Sequence, residues 1–212
     1  MRRTLVVLSI LAGLVLAGCA GDGSKPEAGG KQGAANSLAG KKAVFIIAPR
    51  DFRDEELKEP ADLLKARGCA VTIACSVLDT AKGMLGAEVK PDVLLKDVKA
   101  DDFDAVVFVG GSGAGVYFDD PAAHALARDA AANGKIVAAI CIAPSTLARA
   151  GLLKGKRATA WTSQRDDLET HGAKWSDGPA ERDAWLVTGN GPKAAKEFGE
   201  LLAQALGEPA KP

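Results

Sequence analysis

The sequence predicts an α/β domain: a doubly wound, mostly parallel sheet with helices on both faces. Three observations carry this prediction. Apolar, largely β-branched runs recur without polar alternation, as strands buried on both faces require. Segments with helical spacing or helix punctuation lie between them. At 212 residues, with 47% apolar and 25% charged side chains, the chain can form one compact domain with a full core and still leave an extension.

Residues 43–48 (AVFIIA) are the first predicted strand, and helical residues follow through Arg67. Pro60 falls inside that helix, which must therefore kink or start later than Asp54. Residues 70–74 form a second strand and lead into a weaker segment. The run 105–109 (AVVFV) is a third strand, 121–133 a helix, 136–140 (IVAAI) a fourth strand, and a short helix starts at Pro144. Asp120-Pro121 opens the 121–133 helix and Asn133-Gly134 closes it, while Gly151 ends the helix after Cys141. The last helix, 192–206, puts Ala195, Phe198, Leu202 and Leu206 on one face.

The chain starts Met1-Arg2-Arg3, runs apolar from Leu5 to Ala17, and reaches Gly18-Cys19, the order of a signal peptide. The run is too short to span a bilayer comfortably. Leu16-Ala17-Gly18-Cys19 resembles the lipobox of bacterial lipoproteins. That resemblance implies a signal peptide over 1–18 and lipidation of Cys19; an ordinary secretory signal with an incidental cysteine is the alternative. Ala20 after the cysteine favours the outer membrane, so the expected location is the bacterial cell envelope, at the periplasmic face of that membrane. Residues 19–40, rich in Gly, Ala, Ser and charge, read as a flexible tether with a reach of roughly 25 Å, and 41–208 as the globular domain. Membrane contact is expected through the lipid anchor only.

Charge excludes one class of function. With 27 basic and 27 acidic side chains there is no positive footprint for a phosphate backbone, so no nucleic-acid partner is expected. Three cysteines remain once Cys19 is set aside. Cys69 and Cys75 bracket one strand about 20 Å apart, beyond the roughly 7 Å that a disulfide tolerates, and read as small buried apolar residues. Scattered Cys and His show no ligand spacing, and neither a metal nor a cofactor is expected. The glycine cluster 110–115 lacks a P-loop lysine, and Val116 takes the place of the third glycine of G-x-G-x-x-G.

Cys141 stands where the buried run 136–140 turns into a helix, at the carboxyl edge of the predicted sheet, where open α/β sheets hold ligands. The N–H groups of the helix start would favour its thiolate and lower its pKa. From position alone, Cys141 is either a nucleophile or a plain buried cysteine.

The segment AAICIAP, with Cys141 at its centre, resembles the nucleophile elbow of the ThiJ/PfpI (DJ-one) superfamily. FVGGSGA resembles that superfamily's strand and Gly-Gly loop, Phe52-Arg53-Asp54-Glu55-Glu56-Leu57 with Pro60 its acidic segment, and TGNGPKAAKEFG its last loop and helix. The resemblance covers residues 42–206 and implies a flavodoxin-like, class I glutamine amidotransferase-like fold. It implies that Glu56 sits against the sulfur of Cys141 and that the N–H groups of Gly111 and Ile142 hold an oxyanion. Without it, Asp54, Glu55 and Glu59 compete with Glu56. Tyr117 and Trp161 are expected to line the pocket or to pack in the core.

Departures accompany the matches. Ile142 stands where many members carry a histidine after the nucleophile, and Trp161 stands where others keep one on a later strand. His124 and His171 read as surface residues. With no evident general base, a hydrolase is disfavoured. The resemblance implies a protein of oxidative or carbonyl stress with a redox-responsive thiol, or an enzyme acting on small carbonyls. Its expected partners are a small-molecule electrophile or oxidant and, in a homo-oligomer, copies of itself.

Overall fold

The computed structural model describes residues 37–208. The signal peptide assigned to 1–18, the lipidation of Cys19 and the tether through residue 36 lie outside the described residues. Residues 37–40, also assigned to the tether, are packed rather than free. Leu38 is buried, its N–H donates to Arg67 O at 2.6 Å, and its carbonyl accepts from Lys41 N at 3.0 Å. One apolar side chain in a polar stretch is thus enough to dock the entry to the domain.

In chain order the elements begin with β1 (Lys42–Ile46), β2 (Arg50–Phe52), α1 (Asp54–Ala66) and β3 (Ala70–Cys75). The weaker segment holds β4 (Ala81–Gly83), β5 (Glu88–Val89) and β6 (Val93–Leu94). Next come β7 (Ala105–Phe108), α2 (Pro121–Ala132), β8 (Ile136–Ile140) and α3 (Pro144–Arg149). The chain then forms β9 (Arg157–Ala158), α4 (Arg165–Thr170), β10 (Lys174–Trp175), β11 (Ala180–Asp183), β12 (Leu186–Gly189) and α5 (Ala195–Gly207).

The main sheet has seven strands in the order β11-β12-β8-β7-β1-β3-β6, parallel throughout except for β11 against β12. Within it the run β3-β1-β7-β8-β12 follows the flavodoxin-like order, with the direction of winding reversing between β1 and β7. Ligands of such sheets bind at the carboxyl ends beside that reversal. A small sheet of β2, β4 and β5 sits beside the loop after β1.

Both faces of the sheet are buried, which is why its strands read as unbroken apolar runs. Val44, Ile46, Val106 and Phe108 pack under α2 and α3 with Leu126 and Leu147. Phe45, Ile47, Val107 and Ile140 pack under α1 and α5 with Leu64, Phe198 and Leu202, and Cys141 belongs to this second cluster. The face predicted for α5 is the buried one: Ala195, Phe198, Leu202 and Leu206 are all inside.

Helix α1 starts at Asp54 and runs through Pro60, so the later start is excluded. The absent N–H of Pro60 leaves the Glu56 carbonyl without its usual i+4 donor. In exchange, the flat ring lets α5 come close: a Cβ on Gly199 would stand 3.0 Å from the Pro60 Cα. Asp120 caps α2 by accepting from Ala123 N at 2.8 Å, with Pro121 in the first turn, as its sequence signature requires.

Candidate active site

Strand β8 delivers Cys141 to the carboxyl edge, one strand from the winding reversal. Its φ is +63°, an unusual value for a residue with a side chain, which turns the sulfur out of the strand. Neighbours on both sides hold this conformation. Cys141 N donates to Gly189 O at 2.8 Å, and Cys141 O accepts from Trp161 N at 2.8 Å. Backbone strain of this kind costs on the order of 1 kcal/mol and persists only where surroundings fix it.

Glu56 comes to the sulfur from the first turn of α1. Arg53 N donates to Gly110 O at 2.9 Å, which ties the helix start to the loop after β7. The three acids that follow then separate by environment. Asp54 turns outward and accepts from Leu85 N at 2.9 Å and Ala87 N at 2.8 Å. Glu55 forms a two-pronged pair with the Arg53 guanidinium at 2.8 and 3.0 Å. Glu59 is exposed, whereas Glu56 is fully buried.

Two glycines make room for the contact. A Cβ on Gly110 would lie 2.5 Å from the Cys141 Cβ and would collide with Glu56 Oε2. Gly111 has φ of +97°, and a Cβ there would run into the backbone of Asp51 and Arg53. That conformation turns the Gly111 N–H toward the Cys141 sulfur, and the Ile142 N–H acts on the sulfur as well.

Burial controls the protonation of both acids. It lifts the Glu56 carboxyl to about 8, against the smaller opposing pull of the Cys141 side chain, the Arg53 charge and the Gly110 N–H. Despite those contacts, neither Glu56 oxygen has a hydrogen bond of ordinary geometry among the described residues, and this accounts for the size of the shift. Burial likewise pushes the Cys141 thiol up to about 12, helped by the Glu56 charge, while the N–H groups of Gly111 and Ile142 pull it down. The expected lowering of the thiol is therefore corrected. The helix after Cys141 has only six residues, and its N–H groups do not outweigh the loss of water. At neutral pH the pair holds both protons, and the first to leave belongs to the pair, shared between oxygen and sulfur.

A strained cysteine after a buried strand, a buried glutamate and a Gly-Gly loop now stand together. The DJ-1/PfpI family model matches residues 41–205. The chain belongs to the DJ-1/PfpI family. It is 30% identical over 173 residues to the glutathione-independent glyoxalase DJR-1.2 of Caenorhabditis elegans, covering 82% of this chain and 92% of that one. It is 34% identical over 163 residues to Deglycase PfpI of Pyrococcus furiosus, covering 75% and 98%. The crystal structure of a ThiJ/PfpI domain protein from Brachyspira murdochii superposes with a TM-score of 0.77 at 30% identity, covering 79% of this chain and 98% of that one.

Other residues of this DJ-1/PfpI domain separate by environment. Of its two expected places, pocket wall and core, Tyr117 takes the core. It is 2% exposed, and its hydroxyl donates to Ile47 O at 2.8 Å and accepts from Ser76 N at 3.0 Å, with Cys75 Sγ at 3.9 Å. The ring thereby fastens the 3-10 helix Ser112–Tyr117, which starts one residue after Gly111, to the ends of β1 and β3. Trp161 reaches the site through its backbone bond to Cys141, with its indole half exposed. The histidines are partly exposed, and both bond elsewhere: His124 Nε2 to Phe118 O at 2.7 Å, and His171 Nδ1 to Asp167 O at 2.8 Å. Cys69, Cys75 and Cys141 are all free and buried.

The raised Glu56 pKa sets a stability profile. Between about 4.5 and about 8 the folded chain keeps a proton that the unfolded chain releases, so stability falls as pH rises through that window, by on the order of 5 kcal/mol. Glu56→Gln is neutral at every pH and removes this dependence. Urea unfolding at the two ends of the window should show the variant gaining on wild type by several kcal/mol at the alkaline end. A difference that does not change with pH would contradict the assignment.

Proposed function

We propose that this chain is a carbonyl-stress protein that converts small 2-oxoaldehydes to 2-hydroxy acids at Cys141, with Glu56 as its proton carrier and no cofactor. One observation carries the reading: a buried carboxyl that keeps its proton at pH 7 lies against the nucleophile. Such a group can give a proton and later take one back, which answers the lack of a histidine beside the sulfur. The glyoxalase and deglycase names of the two relatives support the same chemistry.

The thiol–carboxyl pair first gives one proton to water, and the Cys141 thiolate then attacks the aldehyde carbon, forming the S–C bond while the C=O pair moves onto oxygen. The N–H groups of Gly111 and Ile142 hold that oxyanion, and it is protonated to a thiohemiacetal by Glu56. Glu56, now a carboxylate, takes the proton from the former aldehyde carbon and returns it to the adjacent carbon, while the hydroxyl proton passes to the oxygen on that adjacent carbon, giving a 2-hydroxy thioester. Water hydrolyses the thioester, releasing the 2-hydroxy acid as its carboxylate and restoring both the thiol and the neutral Glu56. Atoms balance as dicarbonyl plus water, and no electron acceptor is needed.

Thiol oxidation is the second reading, and the same two N–H groups favour it, because they would hold the oxygens of a sulfinate. One experiment separates the two. Wild type should turn over methylglyoxal, Cys141→Ser should abolish turnover, and Glu56→Gln should reduce it by at least about 100-fold. No turnover, together with selective peroxide conversion of Cys141 to sulfinate, would replace the carbonyl reading with the oxidative one.

The lipobox-like Leu16-Ala17-Gly18-Cys19 supports anchoring in a bacterial envelope, and resemblance to the family supports a homo-oligomer. The described chain enters β1 at the sheet edge opposite Cys141, so an anchor there leaves the reactive edge free. Cys19→Ser should move the protein from the membrane fraction to the soluble one. An unchanged partition would remove the anchor from this account.

A further inference from the structure

Trp161 is one of the few large apolar side chains left uncovered, with 49% of its surface exposed. It is not loosely held. Its N–H donates to Cys141 O at 2.8 Å, and its ring lies on Gly191, where a Cβ would come within 2.8 and 3.0 Å of two ring carbons. Gly191 follows Gly189 by two residues, and Gly189 O accepts the Cys141 N–H. Ring and nucleophile therefore hang from the same end of β12.

A second tie closes the loop from the other side. Gln164 N donates to Trp161 O at 2.8 Å, and Gln164 Oε1 accepts from Ser145 Oγ at 2.8 Å. Ser145 is fully buried on α3, the helix that follows Cys141. The circuit Cys141–Trp161–Gln164–Ser145 returns to the strand-to-helix turn where it began. An aromatic surface fixed this way presents a flat apolar wall beside the elbow. Nothing in that circuit carries a charge to recruit a polar or anionic substituent.

We infer that Trp161 is a specificity-determining residue of the Cys141 site, and that its indole receives the substituent of the electrophile. The substrate class is then 2-oxoaldehydes bearing a flat aromatic group, in preference to methyl or polar ones. This inference rests on the reading of Cys141 as a carbonyl nucleophile. Stacking of one ring on the indole corresponds to a preference of about tenfold.

Two readouts test it, one of which needs no turnover. Mass spectrometry follows alkylation of Cys141 by N-phenylmaleimide and N-ethylmaleimide, each rate normalised to that with a free thiol. Kinetics give kcat/KM for phenylglyoxal and methylglyoxal. Wild type should favour the phenyl reagent in both, Trp161→Ala should bring both ratios close to one, and Trp161→Phe should retain most of the preference. An unchanged ratio in Trp161→Ala overturns the inference, even if both dicarbonyls are turned over. If neither dicarbonyl reacts but the maleimide ratio collapses in Trp161→Ala, the wall stands and the dicarbonyl chemistry falls.

Discussion

Glu56 and Cys141 press against each other out of water, and the arrangement of the carboxyl edge follows from keeping a carboxyl there. An ionised carboxylate in that position lacks the hydrogen bonds that would offset its burial, so the group holds its proton into the neutral range. A proton held by a buried acid is available to a reacting oxygen beside it. The cost in stability and the capacity for chemistry have the same origin.

Several otherwise unrelated features serve that contact. Gly110 is small because the Glu56 carboxyl and the Cys141 side chain occupy the space that a Cβ would take. Gly111 adopts a positive φ and thereby directs its N–H to the sulfur. Tyr117, two turns of 3-10 helix further on, bonds to the ends of β1 and β3 and keeps that loop from shifting. Bonds from Cys141 to Gly189 and Trp161 hold the strained nucleophile from the opposite side.

How much of this the sequence disclosed depends on how local each cause is. Unbroken apolar runs and helix punctuation are local, and β1, β3, β7, β8, α2 and α5 were legible from them. Cys141 was legible as well, because a strand that runs straight into a helix marks a turn at the sheet edge. Glu56 was not separable from Asp54 and Glu55 by any local rule; the Arg53–Gly110 bond orients the helix start, and only the family resemblance pointed to the right acid. The acidity of Cys141 was misread for a related reason. Helix N–H groups can be counted in a sequence, but the depth of burial that outweighs them cannot. Strand β12 was passed over because four residues beside a tight hairpin carry little pattern of their own. Tyr117 was left open between pocket and core, because no local pattern shows that its hydroxyl bonds two backbone groups.

The central claim is that thiol and carboxyl titrate as one unit. Measuring the rate of Cys141 alkylation by a small uncharged reagent against pH, in wild type and in Glu56→Gln, tests it most directly. The account predicts a first inflection near 8 in wild type, where the pair loses its first proton, and the disappearance of that inflection in the variant. A single inflection well below the ordinary thiol range, present in both proteins, would contradict it.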